Sequence, residues 1–145
     1  IDGSKSERLK KLAAIFKTAG VPYRIVKDMH AWQVCHLALV VPLADAYYKA
    51  ENSEAVWKEP NVMNETARQI KNNFQTLYRC GIKLSPPKMH LFRLLPVGIL
   101  QSIFTPIFKS RFAHIFMYRH SMNARDEMKE LHDQFYGYLK ELQRA

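Results

Sequence analysis

The chain has 145 residues, 48% hydrophobic and 24% charged, with a formal net charge of +9 at pH 7. That length fits one domain, residues 1–145, able to bury most of its apolar surface without staples; Cys35 and Cys80 show no C-x-x-C or H-x-x-x-H spacing, which speaks against a metal site and for reduced thiols. The charge favours anionic partners, but the lysines and arginines are scattered, with only a modest concentration from Lys109 to Arg125 and no one-sided basic helix, so nucleic acid is not the expected partner.

The chain opens Ile1-Asp2-Gly3, without a positively charged segment leading into an apolar core and a cleavage site. It is expected to be part of a longer, cytoplasmic protein. Ser4 followed by Glu7 forms a capping box that opens the first helix. Leu9, Leu12, Ile15 and Phe16 fall on one face of it, and Gly20 supplies a left-handed stop. Val21 to Asp28, with a proline and the β-favouring Tyr23, Ile25 and Val26, reads as a short extended piece that runs alone or pairs with other sequence.

Ala31 to Tyr48 is apolar on every side except for Gln33, His36, Asp45 and the tyrosine hydroxyls. Such a helix, roughly 27 Å long, needs other elements wrapped around it, so it is expected to be the central post of the domain. Asp28 is its cap, and Pro42 removes an internal hydrogen bond and kinks it. Lys49 to Glu59 reads as a polar loop. From Pro60, Met63, Ala67, Ile70, Phe74 and Leu77 form one helical stripe, which Gly81 ends.

Ser85-Pro86-Pro87 signals a helix start with serine as cap. Met89 to Phe108 is apolar, yet Arg93, Pro96, Gly98, Gln101 and Pro106 interrupt it. Two short buried helices broken near Pro96 and Pro106 fit better than a membrane span. A further helical piece covers Ser110 to Tyr118. The last helix, about His120 to Gln143, carries Ala124, Met128, Leu131, Phe135, Tyr138 and Leu142 at steps of four, three, four, three and four. The sum is an all-α, multi-helix domain around a buried central helix.

Two constellations are candidates for chemistry. His36 sits in the most apolar stretch, where an imidazole is either a hydrogen-bonded structural group or a proton-transfer group; Asp45, nine residues on, is no adjacent partner on the same helix. In the run from Arg119 to Glu127, His120, Asn123, Ala124 and Glu127 share one helical face leading into the Met128 stripe. A buried polar face there calls for partners or a ligand; the plainer alternative is a capped helix start with solvated charges. There is no glycine-rich phosphate loop and no G-x-S-x-G.

The order of features resembles the C-terminal domain of the ketopantoate reductase (2-dehydropantoate 2-reductase) family, and with it the C-terminal domains of 6-phosphogluconate dehydrogenase-like reductases. Ile1-Asp2-Gly3, the helix with Leu9, Leu12 and Phe16, Ala19-Gly20-Val21-Pro22, the segment leading to Trp32, the helix with Pro42, and Ala124-Arg125-Asp126-Glu127-Met128-Lys129-Glu130-Leu131 carry the resemblance. It implies an N-terminal dinucleotide-binding domain outside this chain, NADP as the cofactor of the full-length protein, and none for this chain alone, which is expected to be inactive. It also implies a small carbonyl or hydroxy acid substrate, contact with the chain's own N-terminal domain, and pairing as a homodimer.

The chain departs from the family's pattern where the family has a lysine after the tryptophan and asparagines at four-residue steps. Trp32 is followed by Gln33, Val34, Cys35 and His36; alignment on Pro42 puts Gln33, Leu37 and Val41 at the family's lysine and asparagine places, whereas alignment near the tryptophan brings His36 close to the lysine position. The implied substrate is therefore not ketopantoate itself. The resemblance makes His36 the catalytic proton donor, and Arg119, His120, Asn123 and Glu127 the substrate-binding residues, with Arg125 as another cation for a carboxylate. Cofactor-binding residues are not identified, and no metal or membrane partner is implied. A non-catalytic helical interaction module and a basic nucleic-acid-binding domain are the alternatives.

Overall fold

A computed structural model describes residues 6–144, and every regular element among them is a helix. The expected Ser4 cap and the Ile1-Asp2-Gly3 opening lie outside the described residues. Helix α1 (Glu7–Thr18) is capped by Ser6, whose hydroxyl accepts from the Leu9 amide at 3.2 Å. Gly20, at φ +67°, ends it. No residue of α1 is buried; Leu12 and Ile15 are 47% and 62% exposed, so its apolar face lies open. The following segment to Lys27 forms no ladder, and most of its side chains are exposed.

Helix α2 (Met29–Lys49) starts where expected, with the Asp28 carboxylate accepting from the Ala31 amide at 2.9 Å. It supplies Ala31, Val34, Cys35, Ala38, Val41 and Tyr47 to the core. It is not wrapped on all sides, however. Gln33, His36 and Tyr48 are exposed on the opposite side. The expected loop after it contains a 3-10 helix (Ser53–Lys58) that inserts Val56, fully buried, while the Glu59 carboxylate accepts from the amides of Glu51 and Asn52.

Helix α3 (Pro60–Arg79) packs against α2, α4 and α5. All five residues of its expected stripe, Met63, Ala67, Ile70, Phe74 and Leu77, are fully buried. Its end is closed by Gly81 at φ +80° and by the Ile82 amide donating to the Leu77 carbonyl at 3.0 Å.

The Ser85 cap does not form. The Ser85–Pro86 bond is cis, the serine amide donates to Cys35 Sγ, and Pro86 precedes a 3-10 turn (Pro87–Met89) that leads into α4 (His90–Leu94). Helix α5 (Val97–Lys109) follows at 119° to that first segment. The break falls at Pro96 alone; α5 continues through Pro106. Lys71 and Gln75 of α3 donate to the Leu95 and Arg93 carbonyls, covering acceptors released where α4 stops. Only one side of α5 is buried, by Leu100, Phe104 and Phe108, whereas Ile99, Ile103 and Ile107 are exposed. No single helix among the described residues is long and apolar enough to cross a membrane.

Residues 111–123 run as α6 (Arg111–Ala113), a wide π turn (His114–Tyr118) and α7 (Arg119–Asn123). The last helix does not begin at His120: Ala124, at φ −119° and ψ 43°, breaks the helix, and α8 (Arg125–Arg144) begins after it. Met128, Phe135 and Leu139 of α8 are buried against the core, and Leu131, Tyr138 and Leu142 flank them.

One contact resolves a conflict written into α2. Pro42 has no amide hydrogen, so the Ala38 carbonyl, four residues earlier, has no helical donor. Asn73 of α3, itself buried, donates Nδ2 to that oxygen at 3.2 Å and to the Tyr136 hydroxyl at 3.4 Å. Replacing Asn73 by Leu strands the carbonyl in the core, and urea unfolding should show a loss of about 1–3 kcal/mol. In a Pro42→Ala background the restored amide supplies the missing bond, so the same replacement should cost measurably less, a coupling that a double-mutant cycle reads directly.

Candidate functional site

Two neighbouring hollows lie along the outer side of α2, and both include Met128 in their walls. The first, of about 260 Å³, is lined by His36, Val40 and Leu43 of α2, by Phe116 and Met117 of the π turn, and by His120 and Ser121 of α7. His36 reaches it because it stands on the exposed side of α2, where its ring stacks on Trp32 with centroids 5.2 Å apart and planes 8° from parallel. The tryptophan face thus fixes one side of the imidazole while the other side remains open. His120 arrives from the opposite wall because the π turn sets the rotation at which α7 enters.

The sequence candidates divide in space. His36 and His120 line one hollow. Arg119, Asn123 and Glu127 are exposed and line neither hollow. Asn123 is the last residue of α7 and Glu127 lies in the first turn of α8, so the break at Ala124 separates residues that a continuous helix would stack on one face. Ser121 is buried, and its carbonyl accepts from the Tyr48 hydroxyl at 2.6 Å, which ties α7 to the end of α2.

The second hollow, of about 460 Å³, lies between the end of α2, the 3-10 helix and the first turns of α8. His132 Nδ1 donates to both oxygens of Asp45, at 3.1 and 3.0 Å. An ionised carboxylate only accepts, so the proton sits on Nδ1, and Nε2 is the position free for other work. The Tyr136 ring packs on the imidazole at 4.6 Å. Asp45 is shielded, its side chain 13% exposed against 39% for His132. Burial pushes the Asp45 carboxyl above its ordinary value, and the attraction of His132 only partly offsets this. Arg125 and Lys129 stand in the same cleft, one helical turn apart, and Arg125 lies over the Tyr48 ring at 5.6 Å.

Sequence reasoning did not find this pair, because it weighed Asp45 only as a partner for His36 on the same helix. The signal was present: Asp45 is the sole acid within the apolar helix, and His132 lies four residues after Met128, next to the buried stripe of α8. No cluster of three or more metal-ligating side chains occurs among the described residues.

Comparison with protein-family models, with curated proteins and with solved structures finds no match to this chain.

The raised Asp45 pKa has a definite sign in stability. A carboxyl whose pKa is higher folded than unfolded contributes stability that is fully present below the unfolded value, about 3.9, and is lost as pH rises through the folded value. Asp45→Asn removes that titration. Urea unfolding of both proteins should show the asparagine variant gaining on the wild type between pH 3 and pH 7. A constant difference across that range would contradict the assignment.

Proposed function

We propose that this chain is the helical substrate-binding domain of a cytoplasmic, ketopantoate reductase-like, NADP-dependent oxidoreductase that acts on a carbonyl or hydroxy acid compound other than ketopantoate. The observation that carries this reading is the meeting of His36 and His120 in one hollow: the helix on which the resemblance expects the catalytic acid presents its single histidine of that stretch to a concave site. A hollow with apolar walls and a few convergent polar groups is the form that small-molecule sites take.

The chain contains no glycine-rich turn opening a helix, so the domain that would hold NADP belongs to other sequence. Bound there, the cofactor would supply hydride to a carbonyl carbon, whose oxygen then needs a proton. His36, in its imidazolium form, gives the oxygen a proton and ends neutral. Its stacking on Trp32 keeps the ring from turning away, and His120 on the far wall supplies a second donor to the same oxygen or to a substrate hydroxyl. Val40 and Leu43 give the hollow an apolar wall beside His36.

A second reading, a non-catalytic helical interaction module, rests on a different observation. Ile99, Ile103 and Ile107 form an exposed row on α5, and exposed Phe112 and Phe116, with rings 5.0 Å apart, continue it along the chain. Large exposed apolar faces mark interaction surfaces, which also accords with pairing of two copies.

His36→Ala in the full-length protein separates the two. The reductase reading expects NADPH-dependent turnover to fall by roughly 10²–10⁴-fold with the fold intact; unchanged turnover with an accepted carbonyl compound would sink the role of His36. Sequence preceding Ile1 gives an independent check, since the reading requires a strand, G-x-G-x-x-G and a helix there.

A further inference from the structure

The larger hollow, beside α8, carries a pattern of charge that the His36 reading does not use. Arg125 and Lys129 bring two cations, and Asp45 and Asp133 two carboxylates, to the same lining. Arg125, Lys129 and Asp133 are exposed and belong to none of the ion pairs among the described residues; Arg125 donates to Met122 Sδ at 3.6 Å. Burial pushes the Tyr48 hydroxyl above its ordinary value; Arg125 and the bond to Ser121 oppose this, and Asp45 adds to it. Tyr48 is itself held in place by its bond to the Ser121 carbonyl, and Met128 adds an apolar wall.

Each ligand class fits this lining differently. A dianion such as phosphate would gain from Arg125 and Lys129 but would meet the unpaired carboxylate of Asp133. A simple cation meets the reverse. A molecule with one positive and one negative group, about the length of a few bonds apart, satisfies both and leaves no charge of its own unpaired. We propose that the cleft between α2 and α8 is a binding site for a small zwitterion, an α-amino acid, whose carboxylate meets Arg125 and Lys129 and whose ammonium meets Asp133 and the Asp45–His132 pair. A volume of about 460 Å³ accepts a compound of this class with its side chain against Met128 and Tyr48. The site stands apart from the reductase reading, because its residues are not those that line the His36 hollow, apart from the shared Met128.

The test is thermal unfolding of this chain with each of the common L-α-amino acids at millimolar concentration, followed by titration calorimetry with the best of them. At least one should raise Tm by mass action on the folded state. Two analogues with the same side chain, one lacking the ammonium and one lacking the carboxylate, should each bind at least about tenfold more weakly. Arg125→Ala and Asp133→Asn should weaken binding by a similar factor while keeping the helical circular dichroism spectrum, and His36→Ala should leave it unchanged. Should Arg125→Ala not fold, Lys129→Ala and Asp133→Asn carry the test. The proposal is overturned if no amino acid stabilises the chain, or if the analogue lacking the ammonium binds as well as the amino acid. Unchanged turnover in His36→Ala with amino-acid binding present would sink the reductase reading alone, and His36-dependent turnover with no amino-acid binding would overturn this proposal alone.

Discussion

The architecture turns on one missing hydrogen bond. A proline in the interior of α2 deprives a carbonyl of its donor inside the core, where water cannot replace it. The neighbouring helix repairs the deficit with an asparagine amide, and the same amide touches a tyrosine hydroxyl of the last helix. Three helices that are far apart in the chain are thereby keyed to one another at a single register. Apolar contacts alone would tolerate sliding by a fraction of a turn, whereas a directional bond to one oxygen does not.

That keying has a bearing on the site. With α2 held from its inner side by α3 and α8, its outer side is free to carry groups that do not pack: a histidine stacked on a tryptophan toward one end and an aspartate bound to a histidine toward the other. Both hollows are bounded by the same corner, where α7 stops and α8 starts. The corner is fastened to α2 by the tyrosine hydroxyl on the Ser121 carbonyl, so the walls of the two hollows are linked through backbone as well as through the shared methionine.

How much of this could be read from residues alone varies with the kind of signal. The stripe of α3 was legible in full because a helix with one apolar face declares itself by spacing, and all five of its residues are buried. The cap at Asp28 was legible for a similar reason, as a local interaction between near neighbours. The cap at Ser85 was not, since the serine lies outside any helix and its amide is engaged by a thiol fifty residues away in sequence. Apolar content overstated burial at α2 and α5: a run that is apolar all round does not say which side will be covered, and His36 and the α5 isoleucines lie on the open sides. Of the site, His36 and His120 were named through the family resemblance and both line the smaller hollow, whereas Asp45 and His132 each stood out locally without either sequence naming the other as its partner. Long-range polar pairs are specified by the packed geometry rather than by either segment, which is why spacing rules pass over them.

The π turn between α6 and α7 acts as a phase element. By adding a residue to one turn it rotates all that follows by about 100° relative to an uninterrupted helix, so the facing of His120 and Ser121 toward α2 depends on the count of residues between Arg111 and Asn123 more than on their identities. Along this stretch the gain or loss of a single residue would turn the wall of the smaller hollow away from α2.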